Sequence, residues 1–225
     1  MKRKILYAIA TFLFQFFSRL NVSGLENVPH RGPAILAVNH LGIIDAPLIF
    51  ALVPRTDLTA LVAKKHLKNP FLRIIVNIVG GIWINRDEAD SHAMRAAREH
   101  LNKGGLLGIA PEGTRSPTGG LNTAKTGVAY LADKAKVPII PIAISGTFKG
   151  LKQALLLKRP TINVHIGKPI ILAPFERKHR DVALQQYTDE IMCHIAAMLP
   201  PSQRGAYAQH PRTIEILEKQ TTIDV

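Results

Sequence analysis

His40 and Asp45 lie five positions apart in Asn39-His40-Leu41-Gly42-Ile43-Ile44-Asp45, directly after an apolar run. Within one regular helix, residues at this spacing diverge by about 140° around the axis. Their side chains meet only if the chain turns between them, and Gly42 offers the backbone freedom for a turn. A carboxylate that holds one imidazole nitrogen leaves the other free to take a proton from a hydroxyl, and stabilises the imidazolium that forms. No serine follows as an obvious nucleophile, so the hydroxyl belongs more naturally to a substrate. By itself this spacing often arises by chance.

A second group, Ala110-Pro111-Glu112-Gly113-Thr114-Arg115-Ser116, also follows an apolar run. That is the strand end where open α/β sheets place ligands. Arginine presents a planar donor fork suited to phosphate. Thr114, Ser116 and amides freed by Gly113 supply neutral donors. A surface turn with a weak Glu112–Arg115 ion pair accounts for the same residues equally well. Arg86, at the end of a short apolar run beside Gly80-Gly81, invites the same phosphate reading. Lys125 is a further candidate cation, or simply a solvated lysine. A base beside a phosphate-holding pocket is the equipment for acyl transfer to a phosphorylated alcohol. Metal chemistry is not expected: His92 and His100 lack a ligating carboxylate pattern, and there is no zinc spacing, Walker loop or dinucleotide fingerprint.

The elements that must position these residues alternate. Apolar runs at 34–38, 58–63, 82–84, 106–110, 139–144 and 161–166 read as strands, with a further short strand and turn at 21–29. Helical patterns cover 47–53, 70–79, 87–103, 123–134 and 181–198; the acids-first, bases-last polarity of 87–103 complements a helix dipole. The expected fold is α/β, a mostly parallel or mixed central sheet flanked by helices. At 225 residues the chain suits one substantial core. It divides into an anchor helix at 1–20, a catalytic unit at 21–201 and a polar tail, or loosely docked helix, at 202–225.

The anchor rests on composition. Ile5 to Phe17 is nearly all apolar, behind Lys2, Arg3 and Lys4. Thirteen residues of helix reach only about 20 Å, short of a hydrocarbon core of roughly 30 Å. The segment lacks a small-x-small cleavage site. It therefore reads as a helix lying in the membrane interface, its cations near anionic headgroups. A formal net charge of +13 and 47% hydrophobic residues suit anionic partners. Only 6% aromatic residues and no recognisable binding motif argue against nucleic acid. The lone Cys193 excludes an intrachain disulfide and sits in an apolar helical pattern, as packing cysteines do.

Four segments in order resemble the glycerolipid acyltransferase family, specifically 1-acylglycerol-3-phosphate acyltransferases of the bacterial type. Asn39 to Asp45 is similar to its histidine-x4-aspartate block, Gly81 to Arg86 to its second, Glu112 to Arg115 to its third and Val137 to Ile142 to its fourth. The resemblance implies His40 as general base, Asp45 as its orienting partner, and a membrane-associated enzyme on the cytoplasmic face of the cell membrane. It implies that Asn39, Arg86, Glu112, Gly113, Thr114 and Arg115 shape an acceptor-phosphate pocket, with Lys64 and Lys125 assisting. The acceptor would be lysophosphatidate. The acyl group would come from acyl-CoA or acyl carrier protein as co-substrate, without a cofactor. Gly42 departs from a common serine, and Ala110 and Ala124 from common phenylalanines, which bears on the acceptor. Relatives acylate glycerol 3-phosphate, other lysophospholipids or lyso-aminolipids. Outside the class the alternatives are a non-catalytic membrane-surface module and a basic nucleic-acid-binding protein.

Overall fold

The computed structural model describes residues 2–86, 88, 90–174 and 177–223. Its strands are β1 (Arg19–Ser23), β2 (Ala34–Val38), β3 (Leu58–Ala63), β4 (Ile82–Ile84), β5 (Leu106–Ile109), β6 (Ile139–Ser145) and β7 (Thr161–Ile166). They form one sheet in the order β1-β7-β6-β2-β5-β3-β4. All neighbours are parallel except β6 and β7, so the sheet is mixed. Among the described residues the helices are α1 (Lys2–Phe17), α2 (Asp45–Leu52), α3 (Pro70–Ile78), α4 (Ser91–Asn102), α5 (Gly127–Ala135), α6 (Gly150–Leu155), α7 (Arg180–Ala197) and α8 (Pro211–Ile223).

The central strand explains the layers. β2 is buried at every position, as its unbroken apolar run requires. Its side chains alternate between two cores. Ile35 and Ala37 pack with α4, α5 and α7 through Ala97, Leu101, Leu131 and Ile191. Leu36 and Val38 face the other side, where Leu48 and Ile49 of α2 cover them. β2, β3, β4 and β5 run in one direction, so their following loops emerge at one edge. Those loops carry His40, Lys65, Arg86 and Arg115.

α1 docks with an unusual polarity. Arg3 donates to the carbonyls of Thr56, Leu58 and Val79, and Thr11 to that of Ala51 at 3.1 Å. Leu6, Tyr7, Ala10 and Phe14 are half-buried on this inward face, whereas Ile5, Ile9, Phe12, Leu13 and Phe16 are exposed. Among the described residues no helix is long and apolar enough to cross a membrane.

Several boundaries differ from expectation. The helix expected from Asp87 starts at Ser91, capped by Asp90, whose side chain accepts the Ala93 amide at 3.0 Å; Asp87 itself lies outside the described residues. α5 starts only at Gly127, after a stretch in which the Ala124 and Lys125 amides donate to Tyr207 Oη and the Pro111 carbonyl. α6 was not expected. The segment expected as a polar tail is docked as far as it is described: Tyr207, Thr213 and Ile216 are buried, and Arg212 grips Glu190 of α7 with two 2.7 Å bonds. Much of its hold is polar, so hydrophobic periodicity does not signal it. The termini of this segment, Asp224 and Val225, lie outside the described residues, as does Met1.

Candidate active site

Beyond β2 the chain turns through Leu41–Ile44 and enters α2 at Asp45. The turn brings His40 Nδ1 to 2.9 Å from Asp45 Oδ2. The same oxygen accepts the amides of Leu41 and Gly42, each at 2.7 Å. Asp45 is therefore both the brace of the turn and the partner of the imidazole. It is buried, while His40 keeps about a fifth of its side-chain surface open (19%). Gly42 supplies room and not a left-handed backbone: its φ is not positive, but a Cβ there would lie 2.5 Å from the Thr147 carbonyl. A serine at this position would collide with the loop after β6.

Glu112 locks the second loop to the first. Its Oε1 accepts the His40 amide and its Oε2 the Asn122 amide, both at 2.8 Å, while the Ser116 amide donates to the His40 carbonyl at 2.8 Å. Burial pushes the Glu112 carboxyl up from its ordinary pKa, against the pull of the Asn122 and His40 amides. No Glu112–Arg115 ion pair forms. Asn39 is likewise engaged with the scaffold: its amide group exchanges bonds of 2.9 and 2.7 Å with the Ile144 carbonyl and N–H of β6. Both residues, expected to bind substrate, hold the backbone that carries His40.

The cations gather beside the ring. Arg86, Arg115, Lys65, His66 and Thr114 line a cavity of about 560 Å³ that also reaches His40. Among the described residues neither arginine makes an ion pair. Burial, then the nearby Arg115, lowers the Arg86 pKa. Burial, followed by Lys65, Arg115, Arg86 and His40, lowers that of His66. Concentrated positive charge without a counter-charge favours an anion. The remaining walls are apolar: Leu6 and Tyr7 of α1, Phe50 of α2, and Leu72, Ile75 and Val76 of α3. A smaller cavity of about 80 Å³ continues from His40 and Arg86 toward Leu58 and Gly108.

A family model described as Acyltransferase matches residues 19–145, more than half of the chain. The chain belongs to the acyltransferase family. The 1-acyl-sn-glycerol-3-phosphate acyltransferase of Borreliella burgdorferi is 30% identical over 131 residues, 57% of this chain and 52% of that protein. That of Saccharomyces cerevisiae is 32% identical over 163 residues, 67% of this chain and 51% of that protein. The crystal structure of the 1-acyl-sn-glycerophosphate (LPA) acyltransferase PlsC from Thermotoga maritima superposes with a TM-score of 0.66 at 26% identity, covering 84% of this chain and 76% of that one. The chain spans about half the length of the curated relatives it matches.

In this chain the His40–Asp45 pair, Arg86, Thr114 and Arg115 converge as the sequence suggests. Lys64 does not join them: it pairs with Asp90 at 2.9 Å, and the cavity is lined by its neighbours Lys65 and His66. Lys125 reaches the Arg86 carbonyl at 3.2 Å and lines an adjoining cavity of about 710 Å³ with Arg95 and Arg98. Gly113 does adopt left-handed backbone, φ 69°, and a Cβ there would press on the Lys125 stem at 3.4 Å. Sequence reasoning missed Lys65 and His66, although the run Lys64-Lys65-His66 carried the signal. Among the described residues no group of His, Cys, Asp and Glu is gathered to hold a metal.

Proposed function

We propose that this chain transfers an acyl group from an acyl thioester to the free hydroxyl of 1-acylglycerol 3-phosphate, giving phosphatidate. The observation that carries the proposal is one cavity uniting three chemistries: the His40–Asp45 pair, two arginines without counter-charges, and apolar walls from three helices. The names of the bacterial and yeast relatives and of the Thermotoga maritima enzyme support the same acceptor.

With Asp45 on Nδ1, the His40 Nε2 takes the proton of the acceptor hydroxyl as its oxygen attacks the thioester carbonyl. The carbon–oxygen bond forms, the carbon–sulfur bond breaks, and the proton passes from the imidazolium to the departing thiolate. Arg86 and Arg115 hold the acceptor's phosphate, with Thr114 and Lys65 beside them. The apolar walls take an acyl chain. The donor is acyl-CoA or acyl carrier protein, entering as co-substrate, and the chain works at the cytoplasmic face of the cell membrane with α1 in the interface.

The test offers oleoyl-CoA with either 1-acylglycerol 3-phosphate or the uncharged monoacylglycerol, and identifies products by mass spectrometry. Phosphatidate formation with little acylation of the neutral acceptor is expected. Equal acylation of both would remove the phosphate from the recognition scheme.

A further inference from the structure

Beyond α1, we propose a second membrane-inserting element: α6 and the corner Leu155-Leu156-Leu157 that follows it, which enter an anionic phospholipid bilayer beside α1. The three leucines are 75%, 57% and 71% exposed, a consecutive run that a surface facing only water has little reason to display. Phe148 and Leu151, just before them, are exposed too. The corner also carries strain. Leu157 and Arg159 adopt left-handed backbone, with φ of 55° and 43°, a conformation that costs residues bearing a Cβ.

The surrounding charge identifies the occupant. Lys149, Lys152, Lys158 and Arg159 bracket the leucines, and no acidic residue occurs between Asp133 and Glu176. Apolar side chains ringed by cations match an anionic headgroup layer above hydrocarbon. A second protein copy would bring the same positive charge against itself.

The corner is built onto α1. Arg159 donates to the Gln15 and Ser18 carbonyls at 3.1 and 3.3 Å, closing off the C-terminal end of that helix. Leu157 and Phe16 line one cavity. A second, almost wholly apolar groove of about 320 Å³ runs between Leu13, Phe14 and Phe17 of α1 and Leu151, Ala154 and Leu155. The exposed face of α1 and the leucine corner thus form one continuous apolar surface, with the groove able to take a single lipid chain. This inference stands on the surface alone and holds whether or not the proposed acceptor is correct.

Trp83 is the only tryptophan in the sequence, so the 225-residue chain with Trp83→Phe and Leu156→Trp reports on the corner alone. It is mixed with phosphatidylcholine–phosphatidylglycerol vesicles carrying brominated acyl chains. Quenching of the new tryptophan is expected. Absence of quenching would overturn the proposal, whether or not a Phe12→Trp reporter in α1 is quenched. In parallel, the triple change Leu155→Asp, Leu156→Asp, Leu157→Asp should weaken vesicle association at least about tenfold. Because these side chains are exposed, the melting temperature should stay near that of the parent. Unchanged association in a folded triple variant, or a dimer in solution that the triple change dissolves, would assign the surface to something other than lipid.

Discussion

A single carboxylate oxygen organises the reacting end of the site. Asp45 Oδ2 takes the His40 imidazole and two amides of the intervening turn, so ring orientation and backbone turn are set together. Arg115 has a different task. It stands in the cavity without a carboxylate partner, and in the proposed reaction it meets the acceptor's phosphate both before and during reaction. Arg115→Ala should therefore raise KM for the phosphorylated acceptor by about tenfold or more and change kcat little; steady-state kinetics at varied acceptor concentration measures both. An unchanged KM would remove Arg115 from phosphate binding. His66 gives a pH signature. Burial and the neighbouring cations hold its pKa below 6.5, so between that value and its folded value the unfolded chain binds more protons. Its contribution to stability is present above pH 6.5 and is lost as pH falls through the depressed value. His66→Gln should flatten the acid side of a urea-midpoint profile in this window. A profile of unaltered slope would show that other groups set it.

At the scale of elements, the loops after β2 and β5 behave as one piece because Glu112 bridges them. Glu112→Gln keeps one acceptor oxygen but presents an NH2 group to the second amide donor. The loss of that bond should cost about 1–3 kcal/mol, read as a lower denaturant midpoint, and should reduce turnover through displacement of His40. A variant as stable and active as the parent would show that the bridge does not matter. These elements were unequally legible. The bounds of β2 coincide with an apolar run because a strand buried on both faces has few other compositions, and those of the partly buried β3 follow its own apolar run. The site histidine and aspartate were legible as a pair, but the roles of Asn39 and Glu112 were not. Nothing in composition separates a polar side chain that meets a ligand from one that holds a distant backbone amide. Lys64 and Lys65 exchanged places for a related reason: in a short 3-10 turn adjacent side chains diverge, and a one-residue offset decides which faces the cavity. α6 is too short for its periodicity to show, and α8 docks through the Arg212–Glu190 pair as well as through Ile216 and Leu217.

For the whole molecule, two of the helices that wall the cavity at the strand ends, α1 and α3, also expose Phe12, Phe16, Phe71 and Ile74. In the proposed reaction a lipid acceptor then reaches His40 from the interface without its chains crossing water, and the net charge of +13 favours anionic partners. The departures from the family pattern fit this arrangement locally, as at Gly42, where the Thr147 carbonyl fills the space a serine would need. The proposed reaction requires two substrates to meet at one base. The measurement that tests this most directly is thiol release from oleoyl-CoA in detergent, with and without lysophosphatidate, for the parent chain and for His40→Ala. Release that requires the acceptor, and that falls by a factor on the order of 10³ or more in the folded variant, is the predicted result. Acceptor-dependent release that persists undiminished in His40→Ala would contradict it.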